Sequence, residues 1–419
     1  MGVVDQQPTS LSEGADRQVR SSADSSAVSL SAERPATRAA PRAGSKRLQS
    51  LDAVRGVMLI ASVSVNSLWA APEWFEHAPW DGVHPLDLIF PVFVTLTGCG
   101  LAFAMHRRIN VRPLVRRVLV LLLVGLLYNA VTVNAWDPAT WRFSGVLQLY
   151  AVVVAVMTLG HLLTRSWRGW ALLTAASAGA HTLLLATWAR GCPGGALTLE
   201  CNPSGALDTA LLTPAHMYAG GLLGHDPEGV VAISGALVSA AAGATVGHLL
   251  LSLRSRQTPE RPWRGGAVAT VSLGALGVGL VGAALLLVQL PAWLGGSPLP
   301  VMKRLWTAPF ALEVAAGVVL ALLVAHLLLD RPALPRPLRA VSWPLIALGR
   351  NSLLVYFGSH VVMALLMRPP APGEPGLAEQ LGHDIAIAGH PQVTWTVLAV
   401  LAWMALACLL HQRRIYLRP

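Results

Sequence analysis

Charge is what this chain has least of. Only 12% of its 419 residues are Asp, Glu, Lys or Arg, against roughly 25% in soluble domains, so an ordinary soluble globular fold is excluded. Cysteine is scarce as well: four residues and no CxxC pair, which leaves no disulfide framework and no zinc or redox motif. GxxxxGK[ST], GxSxG and HExxH are absent, which removes the commonest signatures of ATPases, serine hydrolases and zinc proteases. No metal is expected. The net charge of +10 has no contiguous basic patch behind it, so a nucleic-acid partner is not expected either.

What the chain has instead is apolar length. Ten runs, at about 51–71, 86–105, 113–132, 145–164, 169–188, 229–252, 266–290, 308–329, 344–367 and 393–411, are each near the 20 residues that cross a bilayer. The fold class expected is all-α, a polytopic membrane helix bundle of about ten (10–11) transmembrane helices. Residues 1–47 are rich in Ser, Ala, Arg and Pro, with no apolar region of a secretory signal; they read as a disordered basic cytoplasmic tail. Residues 48–419 read as the transmembrane domain. Seventeen Lys and Arg residues follow the even-numbered runs and five occupy the opposite connections. The positive-inside rule therefore puts both termini in the cytoplasm. The Ala, Arg and Gly content suggests a bacterial plasma membrane.

Cys99 and Cys408 fall in apolar runs and read as inert thiols. Cys192 and Cys201 share a long polar loop, where a disulfide and two free thiols are both open. Gly243 and Gly247 in the sixth run, with Gly274, Gly277, Gly279 and Gly282 in the seventh, suggest close helix packing.

Polar residues concentrate between Arg47 and Met105. Asp52 and Arg55 open the first run, Asn66 lies within it, Asp87 opens the second, and the loop between holds Trp74, Phe75, His77, Trp80, Asp81 and His84. Such groups at membrane depth usually face a bundle interior or a wet cavity. Each has a plain reading and a chemical one. His77 is a surface histidine, or a base walled from water by Trp74, Phe75 and Trp80. Asn66 bonds a neighbouring helix, or donates to a carbonyl oxygen as it gains negative charge. Asp52 and Arg55 form a local ion pair, or Arg55 joins Arg350 and Asn351 in receiving phosphates. Asp87 is a helix N-terminal acid, or orients His77. His84 reads as a surface residue. His216, Asp226 and Glu228 are too irregularly spaced for metal; Asp226 is expected to cap the sixth helix, with Pro227 in its first turn. Lys303 and Arg304 read as interface residues and secondary contacts for an anion.

Several motifs in register point further. RLQSLDAVRG at Arg47–Gly56, Val65-Asn66, FEHAPWDG at Phe75–Gly82, DLIFPVFVTLTG at Asp87–Gly98, GVLQLY at Gly145–Tyr150, the His216-Met217-Tyr218 and Asp226–Gly229 segments, Lys303–Trp306 and GRNSLLVYFGSH at Gly349–His360 together resemble the transmembrane acyltransferases typified by heparan-alpha-glucosaminide N-acetyltransferase. That resemblance implies acetyl transfer from cytosolic acetyl-CoA to the amine of an amino sugar or related glycan on the outer side, by a bilayer-embedded enzyme able to form a homodimer. It carries the active-site histidine onto His77 and favours Asn66 as its catalytic partner. Arg55, Arg350 and Asn351 would hold the coenzyme; Asp87, Trp80, His216 and Glu228 would contact the acceptor. O-acylation of a cell-envelope glycan or lipid, and small-molecule transport, are the alternatives.

Overall fold

The computed structural model describes residues 48–255, 262–330 and 334–417. The expected tail at 1–47 lies outside the described residues. Among the described residues there are thirteen α-helices: α1 Gln49–Asn66, α2 Pro85–Met105, α3 Val111–Val133, α4 Val146–Leu163, α5 Trp167–Arg190, α6 Pro203–Leu212, α7 Val230–Ser255, α8 Pro262–Trp293, α9 Ala308–Leu329, α10 Arg336–Arg350, α11 Ser352–Leu366, α12 Leu377–Asp384 and α13 Pro391–Gln412. Among the described residues the β structure is one isolated bridge, Gly82 to Met302.

Each apolar run becomes helix. Eight helices, α2 to α5, α7 to α9 and α13, are long and apolar enough to cross a membrane. The run at 344–367 departs from expectation: it is α10 and α11, bent by 74° at a break, and together they make a ninth span. Asn351 holds that break at φ −110°, ψ 26°, outside the helical region, and Pro344 already interrupts the hydrogen bonding of α10. The first run is α1, which carries Asp52, Arg55 and Asn66 and is less apolar than the rest. It packs chiefly on α10, with α9, α11 and α13 around it, so its polar groups are kept from lipid.

α7 is the central post. Its Ala, Gly and Ser residues keep it slim all round, and α2, α5, α9 and α4 pack against it. A Cβ on Gly243 would lie 1.9 Å from the Thr95 carbonyl oxygen, and one on Gly98 would lie 1.9 Å from that of Ala240. The α2 and α7 backbones therefore touch, as small residues allow in lipid. The glycines of α8 do not repeat this: Gly274, Gly279 and Gly282 have nothing within 4 Å, and Gly277 makes an ordinary 3.6 Å contact with Val319. The expected close packing fails there because that side of α8 faces outward.

Two helices begin on carboxylates borrowed from distant residues. The Asp330 carboxylate, just past α9, accepts from Gln49 N (3.1 Å), Ser50 N (3.4 Å) and Ser50 Oγ (2.7 Å), and so caps α1. Burial alone would raise its carboxyl, but hydrogen bonds from His326 and Ser50 hold it below the usual range. For α7 the cap is Asp208 on α6, which accepts from Val230 N at 2.6 Å. Asp226, expected there, is engaged elsewhere.

Candidate active site

The loop between α1 and α2 folds back over the N-terminus of α2 because Asp87 gathers it. Asp87 is 1% exposed. One carboxylate oxygen takes His77 Nδ1 at 2.5 Å; the other takes the backbone N–H of Ala78 at 3.1 Å and of His84 at 2.9 Å. A carboxylate only accepts, so Nδ1 carries the proton and the ring nitrogen left to serve as a base is Nε2. Both readings of Asp87 are met at once: it is the third residue of α2, where the helix dipole favours an acid, and it fixes the ring of His77. His84 is part of the same cap and donates Nδ1–H to Glu76 O at 2.9 Å. Arg304 ties the loop down from the far side, Nε to Ala78 O at 2.9 Å.

The aromatic wall expected around His77 does not form. Trp74 is 63% exposed and packs edge-on to Phe75, and the His77 side chain is 42% exposed. Trp80 turns away instead. Its Nε1 donates to Leu197 O at 3.0 Å, and its ring meets the edge of His225 at 5.2 Å. Leu197 sits in the loop closed by a Cys192–Cys201 disulfide, Cα to Cα 5.8 Å, so the covalent link braces Trp80.

Beside this loop lies a buried charge cluster. Arg142 donates to Asp226 at 3.0 Å and to Glu228 at 2.6 Å, and Lys303 Nζ is 3.6 Å from Glu228. Asp226 also accepts from Ser144 Oγ (2.5 Å) and from Tyr218 N (2.8 Å). Burial would raise the Glu228 carboxyl, but Lys303 and Arg142 outweigh it and hold it below the usual range; His77 is also within electrostatic reach. His216 is a brace, donating Nδ1–H to Trp141 O at 2.6 Å and stacking on Phe143 at 3.9 Å.

Inside the bundle, polar groups lie within electrostatic reach of one another from Glu228 to Arg55. Glu228 is in electrostatic reach of Tyr128 and Tyr356, Tyr356 of Tyr150, and Tyr150 of Arg55 and Arg117, with a hydrogen bond to Thr97. At its far end Arg55 Nη2 donates to Leu96 O at 2.8 Å. Arg350 lies 3.9 Å over the Tyr416 ring. Among the described residues, buried polar atoms without a partner include Asn66 Nδ2 at the end of α1, Arg117 Nε, Arg350 Nε, and Asn351 Oδ1 at the helix break. Native interiors rarely leave such groups unmet, and each is a place where something polar can bind.

The chain's motifs thus bring His77, Asp87 and Glu228 to one end, with Arg55, Arg350 and Asn351 toward the other. Trp80 and His216 are spent on bracing. Arg142 and Arg117 went unforeseen, as did the tyrosines. One signal was available: the chain has five tyrosines in all, and three of them fall within apolar runs. Among the described residues no group of three or more His, Cys, Asp or Glu is placed to hold a metal ion.

Comparison with known proteins bears on this geometry. Residues 47–202, which include Arg55, Asn66, His77, Asp87 and Arg142, match the family model described as heparan-alpha-glucosaminide N-acetyltransferase, catalytic. The resemblance seen in the motifs holds. Two relatives called heparan-alpha-glucosaminide N-acetyltransferase match beyond that segment. The one from Homo sapiens is 25% identical over 423 residues, covering 88% of this chain and 59% of the relative. That from Mus musculus is 26% identical over 428 residues, covering 90% and 61%. The chain therefore spans about three-fifths of the length of these relatives.

Proposed function

We propose that this chain is a membrane acetyltransferase that moves an acetyl group from acetyl-CoA to the amine of an amino sugar or related glycan. The observation that carries the reading is the His77–Asp87 pair. It leaves a bare, partly exposed imidazole nitrogen at one end of a polar line that runs to arginines at the other. Coenzyme A carries phosphates that cannot enter lipid, whereas its thin arm can follow such a line. Arg55, Arg117 and Arg350 then receive the anionic end, and the thioester meets His77. By the distribution of Lys and Arg, the arginine end faces the cytoplasm and His77 the outer side.

His77 Nε2 takes the proton of the acceptor amine as its nitrogen attacks the thioester carbonyl. The new C–N bond forms and the C–S bond breaks. The imidazolium, steadied by Asp87, returns the proton to the departing thiolate. The oxyanion of the intermediate needs a donor, and Asn66 Nδ2 has no other partner among the described residues.

The test is acetyl transfer by purified protein from labelled acetyl-CoA to amino sugars. His77→Ala is expected to lower turnover by about 10²- to 10⁴-fold while the melting temperature stays at that of the wild type. Near-wild-type turnover would eliminate His77 as the base. Exchange of labelled CoA into acetyl-CoA without acceptor separates an acetyl-histidine route from direct transfer.

A further inference from the structure

After α13 the chain turns back on itself. Arg414 takes φ 58°, a left-handed position that glycine ordinarily fills, and two backbone bonds close the turn, Arg414 N to His411 O at 3.1 Å and Ile415 N to Leu410 O at 2.9 Å. Tyr416 is thereby brought against the end of α10. Its hydroxyl is hydrogen-bonded to His411 Nδ1 at 3.1 Å, and the Arg350 guanidinium lies over its ring, 3.9 Å from the centroid. Trp343, two turns before Arg350 on α10, packs edge-on with His411 at 5.5 Å between centroids. One face of α10 therefore grips the turn at two points.

An arginine can be held in two ways. A carboxylate takes the edge of the guanidinium, where its N–H groups point, and offsets its charge. An aromatic ring takes the face, and leaves both edge and charge open. Arg350 is held in the second way. Among the described residues no ion pair engages it, and its buried Nε has no hydrogen-bond partner. Asp52 stands near, both being in electrostatic reach of His411, yet it is the ring that holds the guanidinium. A fork left open in this way matches the oxygens of a phosphate.

We infer that Tyr416 is a positioning residue of the donor site: it holds Arg350 with its edge open toward the phosphates of coenzyme A, so that the protein selects phosphate-bearing thioesters over phosphate-free ones. The inference rests on the acetyl-CoA reading above, with Arg350 among the arginines that receive the anionic end. Removing the ring leaves the charge in place but lets the guanidinium swing. The phosphate then loses an oriented partner, while the thioester end at His77 is untouched.

The test uses the full chain, purified in detergent, and reads equilibrium binding of CoA together with transfer from acetyl-CoA and from S-acetylpantetheine, which has the thioester arm without phosphates. Tyr416→Ala is expected to weaken CoA binding and to raise KM for acetyl-CoA, each by about tenfold, with kcat unchanged. Its KM for S-acetylpantetheine is expected to stay within about twofold of the wild type, because the ring contact bears only on the phosphate end. Tyr416→Phe keeps the ring face and is expected to restore CoA binding. Arg350→Gln is expected to show the Tyr416→Ala pattern, and the double variant to bind no more weakly than Arg350→Gln alone, since the two act through one contact. Tighter CoA binding in Tyr416→Ala, equal losses with both donors, or a fall in kcat alone overturns the inference. CoA binding that depends on Tyr416 in a protein that transfers no acetyl group removes the acetyltransferase reading and leaves the phosphate recognition standing; transfer with CoA binding indifferent to Tyr416→Ala does the reverse.

Discussion

Asp87 has three donors on two oxygens, and this decides what a substitution there does. An Asn keeps the shape but must point an NH2 group either at His77 Nδ1 or at the backbone N–H groups of Ala78 and His84. The ring then loses its fixed tautomer. Asp87→Asn is expected to lower kcat by about 10²-fold or more with KM little changed, measured by the transfer assay above. Arg142 differs in kind, since it touches two buried acids and removing it leaves Asp226 without its cation and Glu228 with Lys303 alone. Arg142→Met is expected to cost about 3–5 kcal/mol, read as a fall in melting temperature of the detergent-purified protein. At this scale the motifs put His77, Asn66 and Asp87 forward as candidates, because those residues are close in sequence and their spacing carries meaning. The partnership of Arg142 with Glu228 spans 86 positions, and nothing local announces it.

Hydropathy reads elements well and their interruptions poorly. All ten runs became helix because a window average registers apolar length, but the same average passes over Asn351, where one residue leaves the helical region and the chain turns by 74°. Capping from afar is equally hidden, as Asp226 shows: it had the right type and position for α7, yet Asp208 caps that helix from 22 residues upstream. That assignment has a pH signature. Burial, with Asp226 adding to it, pushes the Asp208 carboxyl up to about 6, against opposing hydrogen bonds from Ser204 and Val230. A carboxyl raised on folding adds stability that is full below its unfolded value near 3.8 and is lost as pH rises through about 6. Asp208→Asn keeps an acceptor for Val230 N without the charge. It is expected to melt above the wild type at pH 7.5, by the order of 1–3 kcal/mol, with the advantage shrinking as pH falls and gone below the unfolded value of 3.8.

For the molecule as a whole, the distribution of basic residues makes an orientation claim that chemistry can check. Single cysteines introduced at Glu73 and Arg339, in a chain lacking Cys99 and Cys408, are expected to label from opposite sides of sealed cells. Glu73 is expected to react with an impermeant maleimide from outside and Arg339 only after lysis. Labelling of both from one side removes the proposed two-sided approach of donor and acceptor. The bundle class was legible from composition alone, and its centre was not. The glycines of α7 and of α8 look alike in sequence; Gly243 would meet backbone at 1.9 Å, whereas Gly274, Gly279 and Gly282 meet open space, a difference that belongs to the assembled bundle.

The carboxylate that seats the first turn of α1 sits 280 positions further along the chain. A ribosome working at 5–20 residues per second needs roughly 14–56 s to cover that distance. α1 must therefore wait, without this acceptor for its leading amides, until α9 has been made. It emerges before α9 and is finished after it, and a nascent chain halted short of Asp330 holds α1 with a frayed beginning.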